Sequence, residues 1–125
     1  MDIYRQQLLD HYQSPHHMGR IEDASASHKE ESLSCGDIIE VFLKTDESGV
    51  IEQISFDGEG CAICIASASM LMDEFSGKPL AEIEKYDFES LQGLIGTVLT
   101  PSRIKCANIS LVALKKAAEK LAHSD

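Results

Sequence analysis

The stretch GEGCAICIASASMLMDEF, residues 58–75, decides how this chain must pack. It opens on two glycines around Glu59 and a Cys-x-x-Cys pair, Cys61 and Cys64. It continues as a run in which Ile63, Ile65, Ala66, Ala68, Met70, Leu71 and Met72 leave hardly any polar face. A helix over 62–75 that is apolar all round belongs inside a protein, so other elements must enclose it. Gly77 ends it and Pro79 prevents its continuation. The same stretch poses a chemical question. Its first half reads like half of a zinc knuckle, yet the chain has no second Cys-x-x-Cys and no His-x-x-x-His.

On the N-terminal side of this helix the period changes from helical to alternating. Over 38–44, Ile39, Val41 and Leu43 share one face, and Ile38, Glu40, Phe42 and Lys44 the other. A polar turn over 45–49 leads to a second strand in which Val50, Ile54 and Phe56 share a face, so the two runs read as a hairpin. A lone hairpin is marginal, and residues 25–33 supply a third, more polar edge strand. Before the strands, Tyr4, Leu8, His11 and Tyr12 stand at helical spacing behind Asp2 as N-cap, and Ser14-Pro15 stops that helix. After the buried helix, Asp87 caps a short helix ending near Gly93. Ala107, Leu111, Leu114, Ala118 and Leu121 form the stripe of a last one. Helix, strands, then helices is the order of an α+β fold: a small three-stranded antiparallel sheet covered by helices.

The chain of 125 residues is read as a single domain, 1–125, that can bury a real core, since 43% of it is apolar. It has no apolar run near the roughly 18 residues that would suggest a membrane span, and its start lacks the pattern of a secretory signal. A cytoplasmic, reducing compartment is therefore expected, where cysteines bind metal or do chemistry more often than they form bridges. A net charge of −10 argues against nucleic acid as partner.

Three of the four cysteines stand at junctions between elements. Cys35 precedes Gly36-Asp37 in the loop entering the first hairpin strand, and Asp37 is close enough in sequence to join it as a ligand. Cys61 stands where a helix N-terminus favours a thiolate. Cys106 is placed at the start of the last helix after Pro101, with Arg103 and Lys105 as nearby cations. Cys64, one turn into the apolar helix, reads instead as a small core residue. Three thiolates and a carboxylate suit a tetrahedral zinc ion or an iron–sulfur cluster, provided that the fold brings them together. The five histidines offer little: His11 reads as a surface or packing residue, and His16-His17 as a solvated loop.

Taken together, YRQQLLDHYQSPHHMGRIEDA, SCGD, FDGEGCAICIASASMLM, GKPLAEI and LTPSRIKC resemble, in order and over nearly the whole chain, the IscU/NifU-type iron–sulfur cluster scaffold family. The resemblance implies an α+β fold and the assembly of a transient [2Fe-2S] cluster. It implies sulfur supplied by a cysteine desulfurase, and delivery of the cluster to acceptor proteins. It implies Cys35, Asp37, Cys61 and Cys106 as ligands, with Zn2+ as an alternative occupant. Cys35 and Cys106 are the candidate sulfur acceptors, and Arg103 is a candidate contact for the desulfurase. Lys105 stands where the IscU branch has histidine. Leu99-Thr100-Pro101-Ser102-Arg103 replaces that branch's LPPVK motif, which argues against a dedicated Hsp70 chaperone. RIKC and DGEGC look like the SufU branch, whose members bind zinc and accept sulfur, but Cys61 and Cys106 are only 45 positions apart, without that branch's insertion. Cys64 replaces the family's usual serine. Three readings stay open from the sequence: a cluster scaffold, a zinc-dependent sulfurtransferase, and a module in which zinc serves folding alone.

Overall fold

The computed structural model describes residues 3–32, 36–96 and 99–122. In chain order it contains α1 (Ile3–Gln13), β1 (Ala26–Glu31), β2 (Ile38–Thr45), β3 (Ile51–Glu59), α2 (Ala62–Phe75), α3 (Ala81–Lys85), α4 (Phe88–Ile95) and α5 (Pro101–Ala122). The three strands form one antiparallel sheet in the order β1-β2-β3. The α+β class and the three-stranded sheet expected from the sequence are both present.

The apolar helix is where its composition requires it to be. Every residue of α2 from Ile63 to Met72 is buried, together with Phe75. α1 and α5 pack against it, β3 runs beneath it, and α4 touches it as well. α5 in turn covers β1 and β2. Ile39, Val41 and Leu43 of β2 are completely buried on the helix side. On the opposite face Phe42 is sheltered by the Arg20 guanidinium, 4.8 Å from the ring centroid. No helix among the described residues is long and apolar enough to cross a membrane.

Both outer edges of the sheet are managed. On β3, Phe56 N–H donates to the His17 carbonyl and its own carbonyl accepts from Gly19 N–H. Farther along, Ile51 bonds Lys78 and Gly77. Segments on either side of the sheet thus close an edge that would otherwise invite pairing with another chain. β1 is short and charged, and Lys116 and Lys120 of α5 reach across to Glu30 and to the Ser27 carbonyl.

Several details differ from the sequence reading, each for a local reason. Ile51 rather than Val50 joins Ile54 and Phe56 inside. Lys44 pairs with Gln53 but Thr45 pairs with Ile51, and the extra residue in β3 resets the alternation. Asp87 does cap α4, accepting from Ser90 N–H at 2.9 Å, a bond that holds its carboxyl below the usual carboxylate range. The helix then runs through Gly93 to Ile95 and closes on Gly96 at φ 80°. The five-residue α3 is too short to carry a periodic signal. α5 starts at Pro101, which suits a first helical position because its missing N–H would be unsatisfied there anyway. Asp2, Leu33 and Cys35, and with them the expected cap of α1 and the end of the 25–33 strand, lie outside the described residues.

Gly58 is the tightest point of the sheet. It pairs with Ile39 at φ +153°, and a Cβ there would fall 2.0 Å from the Ile38 carbonyl oxygen. Gly58→Ala is therefore expected to cost about 2–5 kcal/mol through overpacking and backbone strain. Gly77→Ala, at φ +81° with nothing within 4 Å, should cost only about 1–2 kcal/mol. Urea unfolding of the two variants checks the order, and equal losses would refute the steric account.

Candidate functional site

The site is built outward from Asp37, which stands immediately before β2. The connection from β1 is closed by two backbone bonds, Ser32 N–H to the Asp37 carbonyl and Gly36 N–H to the Ser32 carbonyl, each 2.8 Å. These bonds fix the backbone of Asp37 and turn its side chain inward, where the residue is 4% exposed. Its Oδ2 is fully buried and has no hydrogen-bond partner among the described residues. A buried carboxylate oxygen without a donor is costly, and a cation in contact with it removes that cost.

Cys61 is the N-cap of α2, with extended backbone (φ −69°, ψ 168°) and no side-chain cap bond. It is exposed, and it stands at the N-terminal, positive end of the helix dipole. Cys106 arrives from α5 and is 7% exposed. It is the sixth residue of that helix, and helical bonding is already under way at Ile104, whose N–H donates to Thr100. Cys106 therefore lies inside α5 rather than at its start, where the sequence reading placed it.

One ligand atom from each of Asp37, Cys61 and Cys106 lies within 4.8 Å of the others. Tetrahedral bonds of about 2.0–2.3 Å place neighbouring ligand atoms about 3.3–3.8 Å apart. Small side-chain rotations are enough to close the set around one ion. A harder oxygen beside soft sulfurs fits zinc or iron. Cys35 lies outside the described residues; in the sequence it is two positions before Asp37.

Cys64 is completely buried within the core cluster, as its apolar helix required. Its sulfur is nevertheless turned toward the site. A Cβ on Gly60 would lie 2.9 Å from Cys64 Sγ and 3.0 Å from Asp37 Cγ, so thiol and carboxylate face the same narrow space in front of that glycine. Helical side chains lean toward the N-terminus, which carries Cys64 back toward Cys61 and Asp37. The Cys-x-x-Cys pair thus splits: Cys61 belongs to the converging set, and Cys64 stands behind it. Gly60 is the residue that sequence reasoning missed, because a close approach between distant segments leaves no periodic mark. Arg103 is exposed in the first turn of α5, three residues before Cys106 and so on the same side of the helix.

His11, His16 and His17 do not join this set, but they are not merely solvated. His11 is buried at 8% exposure and lies 2.7 Å from Ser69 Oγ. Burial, and then the neighbouring His16, lower its pKa. His16 and His17 both contact Asp73, at 2.6 and 3.0 Å.

Comparison with known proteins agrees with this architecture. The NifU-like N-terminal domain matches residues 3–124. The zinc-dependent sulfurtransferase SufU of Bacillus subtilis (strain 168) is 32% identical over 135 aligned positions, covering 94% of this chain and 90% of the relative. The iron–sulfur cluster assembly scaffold protein IscU 1 of Archaeoglobus fulgidus is 31% identical over 115 positions, covering 92% of this chain and 74% of the relative. The crystal structure of the N-terminal part of a nitrogen-fixing NifU-like protein from Brucella abortus superposes with a TM-score of 0.79. It covers 98% of this chain and 96% of that one at 16% identity, a likeness of fold alone. By the extent of these matches, the chain belongs to the NifU-like N-terminal domain family of iron–sulfur cluster scaffold proteins, whose members include relatives named IscU and SufU.

Proposed function

We propose that this chain is an iron–sulfur cluster assembly scaffold. It receives sulfur from a cysteine desulfurase, carries a [2Fe-2S] cluster as cargo on Cys35, Asp37, Cys61 and Cys106, and passes the cluster to acceptor proteins. The observation that supports this most is the convergence of Asp37, Cys61 and Cys106 within 4.8 Å, around a buried carboxylate oxygen that has no protein donor among the described residues. Sulfur transfer needs a scaffold thiolate to attack the outer sulfur of the desulfurase persulfide. The S–S bond breaks, the desulfurase leaves as a thiolate, and the scaffold becomes the persulfide. The attacking thiol must be reachable. Cys106, a candidate from the sequence, is 7% exposed, whereas Cys61 is exposed. Among the described thiols, exposure therefore favours Cys61, and Cys35 stays a candidate. The carboxylate is the weak member of the ligand set, and its release is the natural step for opening the cargo to an acceptor.

A second reading, a zinc-dependent sulfurtransferase, is favoured by the match to SufU. In that case zinc would be resident on the same residues and would hold thiolates deprotonated at neutral pH. The short span between Cys61 and Cys106, 45 positions without the insertion that the resemblance implies for the SufU branch, favours the scaffold.

Anaerobic incubation with ferrous iron, cysteine, a desulfurase and a thiol reductant separates the two readings. The scaffold reading expects a coloured protein with iron and acid-labile sulfide in equal amounts. Cys61→Ser and Cys106→Ser should each abolish it, and Cys64→Ser should retain it. One tight zinc and no colour under the same conditions would favour the sulfurtransferase. Loss of the cluster in Cys64→Ser but not in Cys106→Ser would overturn the ligand assignment.

Arg103 is proposed to dock the desulfurase, since an exposed guanidinium beside the site can pair bidentately with a carboxylate. Arg103→Glu should weaken the complex by about 2–5 kcal/mol if the pair is buried at the interface. Metal content and melting temperature should stay unchanged. Titration calorimetry with the desulfurase checks this; normal affinity in the variant removes Arg103 from the interface.

A further inference from the structure

The histidine cluster stands well away from the cysteines. Cys61 and Asp73 lie twelve residues apart on α2, about 18 Å along a helix. At that far end His11 of α1, His16 and His17 of the following loop, and Asp73 of α2 gather together. One ligand atom from each of His11, His16 and Asp73 lies within 4.8 Å of the others. The His11 and His16 rings stack at an angle, with centroids 4.5 Å apart. His17 Nε2 lies 3.0 Å from the second oxygen of Asp73.

The arrangement is anchored rather than accidental. Ser69 Oγ accepts the His16 backbone N–H at 2.7 Å and is also 2.7 Å from His11 Nδ1. The His17 carbonyl accepts from Phe56 N–H, so the loop bearing both histidines is tied to β3. His16 Nδ1 faces Asp73, the contact that an ion would bridge, and the His11 ring has one nitrogen already engaged with Ser69. Metal-bound imidazoles keep their second nitrogen in such a bond, which fixes ring orientation. The His16 and Asp73 side chains are 52% and 40% exposed, so an ion has a way in.

We propose that His11, His16 and Asp73, with His17 beside them, form a second metal site for a divalent first-row transition ion. Imidazole and carboxylate ligands without sulfur select borderline ions such as Zn2+, Co2+ or Ni2+ over a sulfur-ligated cluster. The site is independent of the cysteines and of the function proposed for them. Bound metal would join α1 and its following loop to α2 and stabilise the folded chain by mass action.

The test uses the full chain without an affinity tag, titrated with Zn2+ and with Co2+. Two equivalents should bind, the second more weakly. His16→Asn and Asp73→Asn, both at exposed positions, should keep the first equivalent and weaken the second at least tenfold. The second Co2+ equivalent should add d–d absorption without further sulfur-to-cobalt charge transfer. It should also raise the Tm of the wild-type chain but not of the variants. Retention of the first equivalent and an unchanged circular dichroism spectrum would show that the variants fold. A single equivalent in the wild type would leave the cluster as a hydrogen-bonded staple and overturn the proposal. So would two unchanged equivalents in both variants, or sulfur charge transfer accompanying the second.

Discussion

The carboxylate of Asp37 is the constraint around which the molecule is arranged. It is 4% exposed, and Oδ2 has no hydrogen-bond donor among the described residues. Leaving such a group uncompensated costs about 1–3 kcal/mol, and more if it is charged. The fold does not avoid this cost by turning the side chain outward. It closes the β1–β2 connection on the Asp37 backbone, lays Gly60 against the carboxylate, and brings the thiols of Cys61 and Cys106 within 4.8 Å. A site that sets a buried, undonated carboxylate oxygen beside two thiols among the described residues is arranged for a cation.

Packing gives that site its fixed geometry. α2 is enclosed by α1, α5 and β3, so its N-terminus has little freedom to shift. Cys61 at the cap then faces outward, and Cys64 one turn later faces back toward Gly60 and Asp37. Two glycines make the approach possible. Gly58 lets β3 press onto the Ile38 carbonyl, and Gly60 leaves room for the thiol and the carboxylate. The apolar core extends through α2, α5 and the sheet, and the site occupies its edge. That distribution speaks against a module in which metal serves folding alone, because much of the burial takes place away from the ligands.

The sequence carried the fold through its periods. The all-apolar run over 62–75 required a buried helix, and the alternation over 38–44 required a strand with one face inside; both are present. The bulge that buries Ile51 in place of Val50 was hidden, since a single extra residue changes the register without changing the composition. Within the site, Asp37, Cys61 and Cys106 were legible as candidate ligands, although Cys106 lies inside α5 and not at its start, but their convergence was not. It depends on α5 crossing the sheet, which is a tertiary fact. The approach of Gly60 to Asp37 and the grouping of His16 and His17 with Asp73 were illegible for the same reason, because these partners are more than twenty residues apart in sequence. The split of the Cys-x-x-Cys pair was legible in its main outline, because one turn into an apolar helix is an inward position. That Cys64 also faces Asp37 was not.

X-ray absorption at the zinc edge of a chain loaded with one equivalent tests the central claim most directly, since it counts the atoms bound to the ion. An ion held by Asp37 and the thiolates has a mixed shell: three sulfurs at about 2.3 Å and one oxygen at about 2.0–2.2 Å. Asp37→Ala should then remove the oxygen while the sulfurs remain. A shell of four sulfurs in the wild-type chain would mean that Cys64, not Asp37, completes the set. That result would contradict the ligand assignment at its central residue.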